Sequence, residues 1–130
     1  MNSAWHVGVV FIGGGIGSAF RYGFGRASLA LVGPNYPAAT LVVNVVGCFL
    51  MGALAGWLSY RDFGIDSSVK LFLTTGLLGG FTTFSAFALD AVTLWERGGA
   101  VSAGIYVLIS VAGSIAGLLA GLALMRTTIG

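Results

Sequence analysis

Four long apolar runs, parted by short polar stretches, take up nearly the whole chain. They cover roughly residues 5–25, 38–60, 69–95 and 101–125. A helix needs about 20 apolar residues to cross a bilayer, and each run meets that length. In hydrocarbon, backbone N–H and C=O groups find no water, so a spanning segment must bond to itself as a helix. The pattern predicts an all-α membrane protein: four transmembrane helices in a single integral membrane domain, 1–130. The separators carry turn chemistry: Gly33-Pro34-Asn35-Tyr36-Pro37, then Arg61-Asp62-Phe63-Gly64-Ile65-Asp66, then Glu96-Arg97-Gly98-Gly99.

The third run departs from a plain spanning pattern. Residues 76–87 read Gly-Leu-Leu-Gly-Gly-Phe-Thr-Thr-Phe-Ser-Ala-Phe. Gly76, Gly79 and Gly80 loosen the backbone near the centre of the run, and Thr82, Thr83 and Ser85 follow at once. This predicts a third helix broken near its centre, showing backbone and hydroxyl groups to a small ion. Elsewhere small residues recur four apart: Gly13 and Gly17, Gly52 and Gly56, then Gly113, Gly117 and Gly121. Lipid tails are as apolar as leucine, so membrane helices associate by close packing, which small residues one turn apart permit. Packing is the expectation for most glycines, with Gly76, Gly79 and Gly80 as exceptions.

Composition narrows the class. The chain is 57% hydrophobic and 8% charged, with a mean hydropathy of +0.98. The four spans leave no room for a soluble catalytic domain. Six dispersed basic residues give a net charge of +2 without the basic run that nucleic acid requires. The N-terminus lacks a basic leader region, and glycines interrupt its apolar stretch, so a retained first helix is expected rather than a signal peptide. With an even number of spans, Arg61, Lys70 and Arg126 lie on one side. Arg26 and Arg97 lie on the other, with Arg21 near the same end. So balanced a count gives almost no orientation signal. It fits a chain that inserts both ways and pairs antiparallel with itself.

Several polar residues within the spans carry candidate chemistry. Arg21 lies four residues after Gly17 and so shares its packed face. It either snorkels to the headgroups or provides a fixed positive charge at a vestibule. Asn44, inside Leu41-Val42-Val43-Asn44-Val45-Val46, is too costly to face lipid. It serves as interhelical glue or donates to an anion. Thr82, Thr83 and Ser85, with Ser110 and Ser114 on one face of the fourth span, form a hydroxyl cluster. Each hydroxyl can serve an anion or bond back to its own helix. Phe84 and Phe87, three apart, can present ring edges of partial positive charge to an anion. Asp90 is the acid within a span, a gate or vestibule residue or a partner for a basic group. Cys48 reads as a small packing residue. His6 stands alone near the N-terminus, and nothing resembles a metal cage, a nucleophile–base pair or a phosphate loop. Gly13-Gly14-Gly15-Ile16-Gly17 lacks the strand that a dinucleotide loop would follow.

These residues resemble the bacterial Fluc (CrcB) fluoride channels in three motifs. They are Gly13-Gly14 with Gly17 and Arg21-Tyr22; Thr40-Leu41 with Asn44, Gly47, Phe49 and Gly52; and Gly76, Gly79-Gly80, Thr82-Thr83-Phe84-Ser85 and Phe87. The resemblance implies an antiparallel, dual-topology homodimer in the bacterial inner membrane that exports fluoride passively. It implies a structural sodium ion at the dimer centre, held by backbone carbonyls at Gly79 and Thr82. Asn44, Thr83, Phe84, Ser85, Phe87, Ser110 and Ser114 would line the fluoride path. Arg21 would be the vestibule arginine and Asp90 a gating residue. Ala86, Ala39, Ser18 and Asp90 depart from residues common in that family, and none of the four belongs to the sodium or phenylalanine set. Carbonyl oxygens suit a hard cation, and two from each of two subunits would give four.

One rival is a small four-helix proton-coupled multidrug exporter, which would be expected to carry an acid in its first span, where this chain has Arg21. Another is a noncatalytic assembly subunit, which gives no reason for the Thr-Thr-Phe-Ser cluster.

Overall fold

The computed structural model describes residues 3–31, 33, 37–61 and 66–129. The predicted turn residues Pro34, Asn35 and Tyr36, and Asp62 to Ile65 of the next loop, lie outside the described residues. Among the described residues every secondary-structure element is a helix. Helix α1 is Ser3–Leu31 and α2 is Ala38–Arg61. Helix α3 covers residues 67–81 in three parts: α-helix at Ser67–Leu71, π-helix at Phe72–Leu78 and one α-turn at Gly79–Phe81. Helix α4 is Ser85–Glu96 and α5 is Ala100–Ile129. Taking α3 and α4 as one broken crossing, four helical segments are long and apolar enough to span a membrane.

Local sequence explains most of the ends. Helix α1 continues past Arg26 through Ala27-Ser28-Leu29-Ala30-Leu31 and stops before Gly33, whose φ of +90° favours glycine. Asp66 caps α3, its carboxylate accepting the Ser68 N–H at 2.9 Å. The α4–α5 turn uses Gly98 at φ +84°. Trp5 Nε1 donates to Ser68 Oγ at 2.8 Å, tying the start of α1 to the start of α3.

The packing is glycine-mediated, as the four-residue spacing predicts. On α2, a methyl group at Gly52 would strike the Leu118 carbonyl, and one at Gly56 would lie 2.8 Å from Met125 Cβ. From α5, Gly121 faces the Phe49 carbonyl in the same way. Helix α1 lays Gly13 against Phe72 and Gly76, and Gly17 against Leu77 and Phe81. A small apolar core of Phe87, Leu94, Ala103 and Tyr106 joins α4 to α5, with Leu41 of α2 against it. Large apolar side chains elsewhere face outward, Phe11, Leu31, Val101 and Leu108 among them. Such a surface suits lipid tails rather than water.

The break is real, but the glycines do not make it. The backbone stays helical through Gly76, Gly79 and Gly80 and leaves the helix at Thr82, Thr83 and Phe84. Thr82 takes an extended ψ of 160°. Gly76 and Gly80 are packing glycines after all, because a side chain on either would meet Gly13 or Gly14 of α1. Gly79 alone of the three has ordinary room, the nearest atom being the Thr74 carbonyl at 3.5 Å.

Candidate functional site

Asn44 holds the break open. Its Nδ2 donates to the Thr83 carbonyl at 2.9 Å, and its Oδ1 accepts the Thr83 N–H at 2.8 Å. In a continuous helix that N–H would return to the Gly79 carbonyl, four residues earlier. Its diversion to Asn44 releases the Gly79 carbonyl. The amide is therefore interhelical glue, with one N–H of Nδ2 left over. Thr83 Oγ1 accepts the Ala86 N–H at 3.1 Å, which caps the first turn of α4. Thr83 and Ser85 hydroxyls lie 3.4 Å apart. Thr82 Oγ1 donates back to the Leu78 carbonyl at 3.0 Å, which commits that hydroxyl to its own helix.

A groove of about 400 Å³ opens beside the break. Asn44, Gly79, Thr82, Thr83, Phe84, Phe87, Ser110 and Ser114 line it, so eight of the residues singled out from sequence come together. Ser85 is exposed and does not line the groove. Ser110 is 3% exposed, and its Oγ is buried without a hydrogen-bond partner. The Tyr106 hydroxyl one turn away is near enough to interact with it but not in hydrogen-bond geometry. A buried hydroxyl without a partner carries a desolvation cost that a hydrogen-bond acceptor in the groove would offset.

An aromatic row leads away from the groove. Phe84 and Phe87 ring centroids lie 5.5 Å apart, tilted by 53°. Phe87 and Tyr106 follow at 5.5 Å. The Tyr106 hydroxyl then donates to Asp90 Oδ2 at 3.3 Å. Phe87 is buried, whereas Phe84 is 78% exposed. Asp90 lines a second cavity of about 210 Å³ with Thr40, Thr93 and Arg97. Sequence reasoning missed Tyr106, which is fully buried. Its spacing could have found it, since Tyr106, Ser110 and Ser114 recur every four residues on one face of α5. Cys48, one turn after Asn44, also lines the groove.

Arg21 reaches inward. Its Nε donates to the Gly80 carbonyl at 3.3 Å, and Ser18 Oγ donates to the same oxygen at 3.5 Å. Arg21 also lines a cavity of about 350 Å³ with Arg26, Thr40 and Thr83. Among the described residues no three His, Cys, Asp or Glu side chains gather to hold a metal. The oxygens at the break are backbone carbonyls, hydroxyls and the Asn44 amide, which are neutral hard donors.

The sequence of this chain has clear relatives among known proteins. The model of the family described as CrcB-like protein, Camphor Resistance (CrcB), matches residues 8–122. A protein of Rhizobium etli named fluoride-specific ion channel FluC is 52% identical over 121 residues, which is 93% of this chain and 96% of the relative. A protein of the same name from Rhizobium leguminosarum bv. trifolii is 53% identical over 118 residues, covering 91% and 94% of the two chains. The FluC of Agrobacterium fabrum is 50% identical over 121 residues, covering 93% and 96%.

Proposed function

The chain belongs to the CrcB-like family, and from that membership we propose that it is a fluoride channel exporting the ion passively across a bacterial inner membrane. The observation that carries the reading is the groove at the break, with the buried, unpartnered Ser110 hydroxyl in its wall. Fluoride is small and strongly hydrated, so a path must replace its water with many donors. Ser110, Ser114 and the remaining Asn44 N–H can donate. The edges of Phe84 and Phe87 add weak positive potential without a full charge that would trap the ion. The break also sets the negative end of α3 against the positive end of α4. Exposed carbonyls at one end suit a cation, and N–H groups at the other suit an anion.

The working unit in this reading is an antiparallel homodimer inserted in both orientations. Phe84 stands exposed at the open side of the groove, where a second copy would close it. Gly79 and Thr82 would hold a structural sodium through backbone oxygens. When bound, that ion would offset the negative potential of the bare carbonyls. One chain offers two such oxygens, fewer than a hard cation takes, so the partner would supply the rest.

Purified protein in liposomes, loaded with fluoride or chloride, tests the reading. Rapid efflux of fluoride and not chloride is expected, and no fluoride flux under an imposed gradient would defeat it. A proton-coupled multidrug exporter would also fail this assay. Phe84→Ile and Phe87→Ile should each cut flux in an assembled protein. Undiminished flux in both would remove the rings from the path. The sodium site predicts a melting temperature that rises with sodium relative to a bulky organic cation, because a ligand of the folded state stabilises it.

A further inference from the structure

Where α3 ends at Phe81, the carbonyls of Leu78, Gly79 and Gly80 meet three different fates. The Leu78 carbonyl keeps its regular partner, accepting the Thr82 N–H at 3.0 Å. The Gly79 carbonyl loses its own to Asn44, and Gly79 lines the groove. The Gly80 carbonyl is taken by Arg21 Nε and Ser18 Oγ, both from α1. Gly80 does not line the groove, and α1 is pressed against it, with the Gly14 carbonyl oxygen 2.5 Å from where a Gly80 side chain would begin.

We propose that Arg21 is a positioning residue of the break: with Ser18, its Nε–H caps the Gly80 carbonyl, fixing the end of α3 so that Gly79 presents the free carbonyl to the groove. The role belongs to one donor atom, not to the charge. A positive charge does favour a helix C-terminus, and Arg21 does line a cavity with Arg26. Neither of those roles needs an N–H at the ε position. The cap does, because a half-buried carbonyl that loses its donor weakens the turn that carries it.

Glutamine separates the two roles by its covalent structure. Its amide nitrogen lies the same number of bonds from Cα as Arg21 Nε, so Arg21→Gln keeps the donor and removes the charge. Lysine has a methylene at that position, so Arg21→Lys keeps the charge and removes the donor. Amide hydrogen exchange over residues 79–84 reads the cap without reference to transport. Fluoride flux in liposomes reads its consequence and rests on the channel reading.

Arg21→Gln should keep wild-type exchange over residues 79–84. Arg21→Lys should exchange at least about tenfold faster there, the scale of a lost hydrogen bond to a charged group, and lose flux. The reverse order, equal losses or no change in either would overturn the proposal. If only Arg21→Lys fails to assemble, the cap is supported; if only Arg21→Gln fails, it is refuted. If both fail, Ser18→Ala decides, with faster exchange over 79–84 supporting the shared cap and unchanged exchange overturning it. A wild-type protein that passes no fluoride would sink the channel reading and leave the exchange comparison to judge the cap.

Discussion

Thr82 and Ser110 are both hydroxyl residues on the groove wall, yet only one is available to an ion. Thr82 Oγ1 is spent on the Leu78 carbonyl, while Ser110 Oγ is buried and unpartnered. Ser110→Ala should therefore leave the melting temperature unchanged or raise it, because a buried unmet donor carries a desolvation cost of about 1–3 kcal/mol. The same change should lower fluoride flux several-fold in liposomes. A drop in stability with unchanged flux would make Ser110 a structural residue. The residue types were legible in the chain, but their spending was not. A hydroxyl in a helix has two outlets, and only the backbone path decides which is taken. Asn44 shows the same limit: its sequence position demanded a partner, and the fold supplied the N–H and carbonyl of Thr83 at the break.

At the scale of elements, the broken crossing depends on helices that are not broken. Asn44 of α2 bonds both polar groups of the Thr83 backbone, and α1 packs along α3. Asn44→Ala would leave that N–H and carbonyl unmet, at about 1–3 kcal/mol for each group. The expected result is a lower melting temperature and faster amide exchange at Thr83. Wild-type exchange there would show that the break holds itself. The α1–α3 seam gives a paired test. A side chain at Gly17 would strike the Leu77 carbonyl, whereas nothing lies within 4 Å of one at Gly15. Gly17→Ala should cost about 1–3 kcal/mol or more through overpacking, and Gly15→Ala should be near neutral in the same thermal melts. The glycine spacing in the sequence foretold this seam, because one turn of helix returns a residue to the same face. It misplaced Gly76 and Gly80, whose role in packing depends on how close α1 comes.

For the whole molecule, the balanced basic residues bear on insertion. With three cations on one side and two or three on the other, the positive-inside bias is nearly absent. Cysteine tags placed at the C-terminus of a Cys48→Ala background should label from both sides of the membrane. One-sided labelling in cells lacking any partner protein would exclude dual insertion. Four spans and a multi-pass membrane protein followed from the chain itself, because hydrocarbon admits only helices that satisfy their own backbone and about 20 apolar residues make one crossing. That reading needs nothing from neighbouring segments. The location of the break, the π-helical stretch before it, the freed Gly79 carbonyl and the Tyr106 bridge to Asp90 were decided by tertiary structure. Each depends on a hydrogen bond or close approach between residues far apart in the chain, and local periodicity does not record which distant groups will meet.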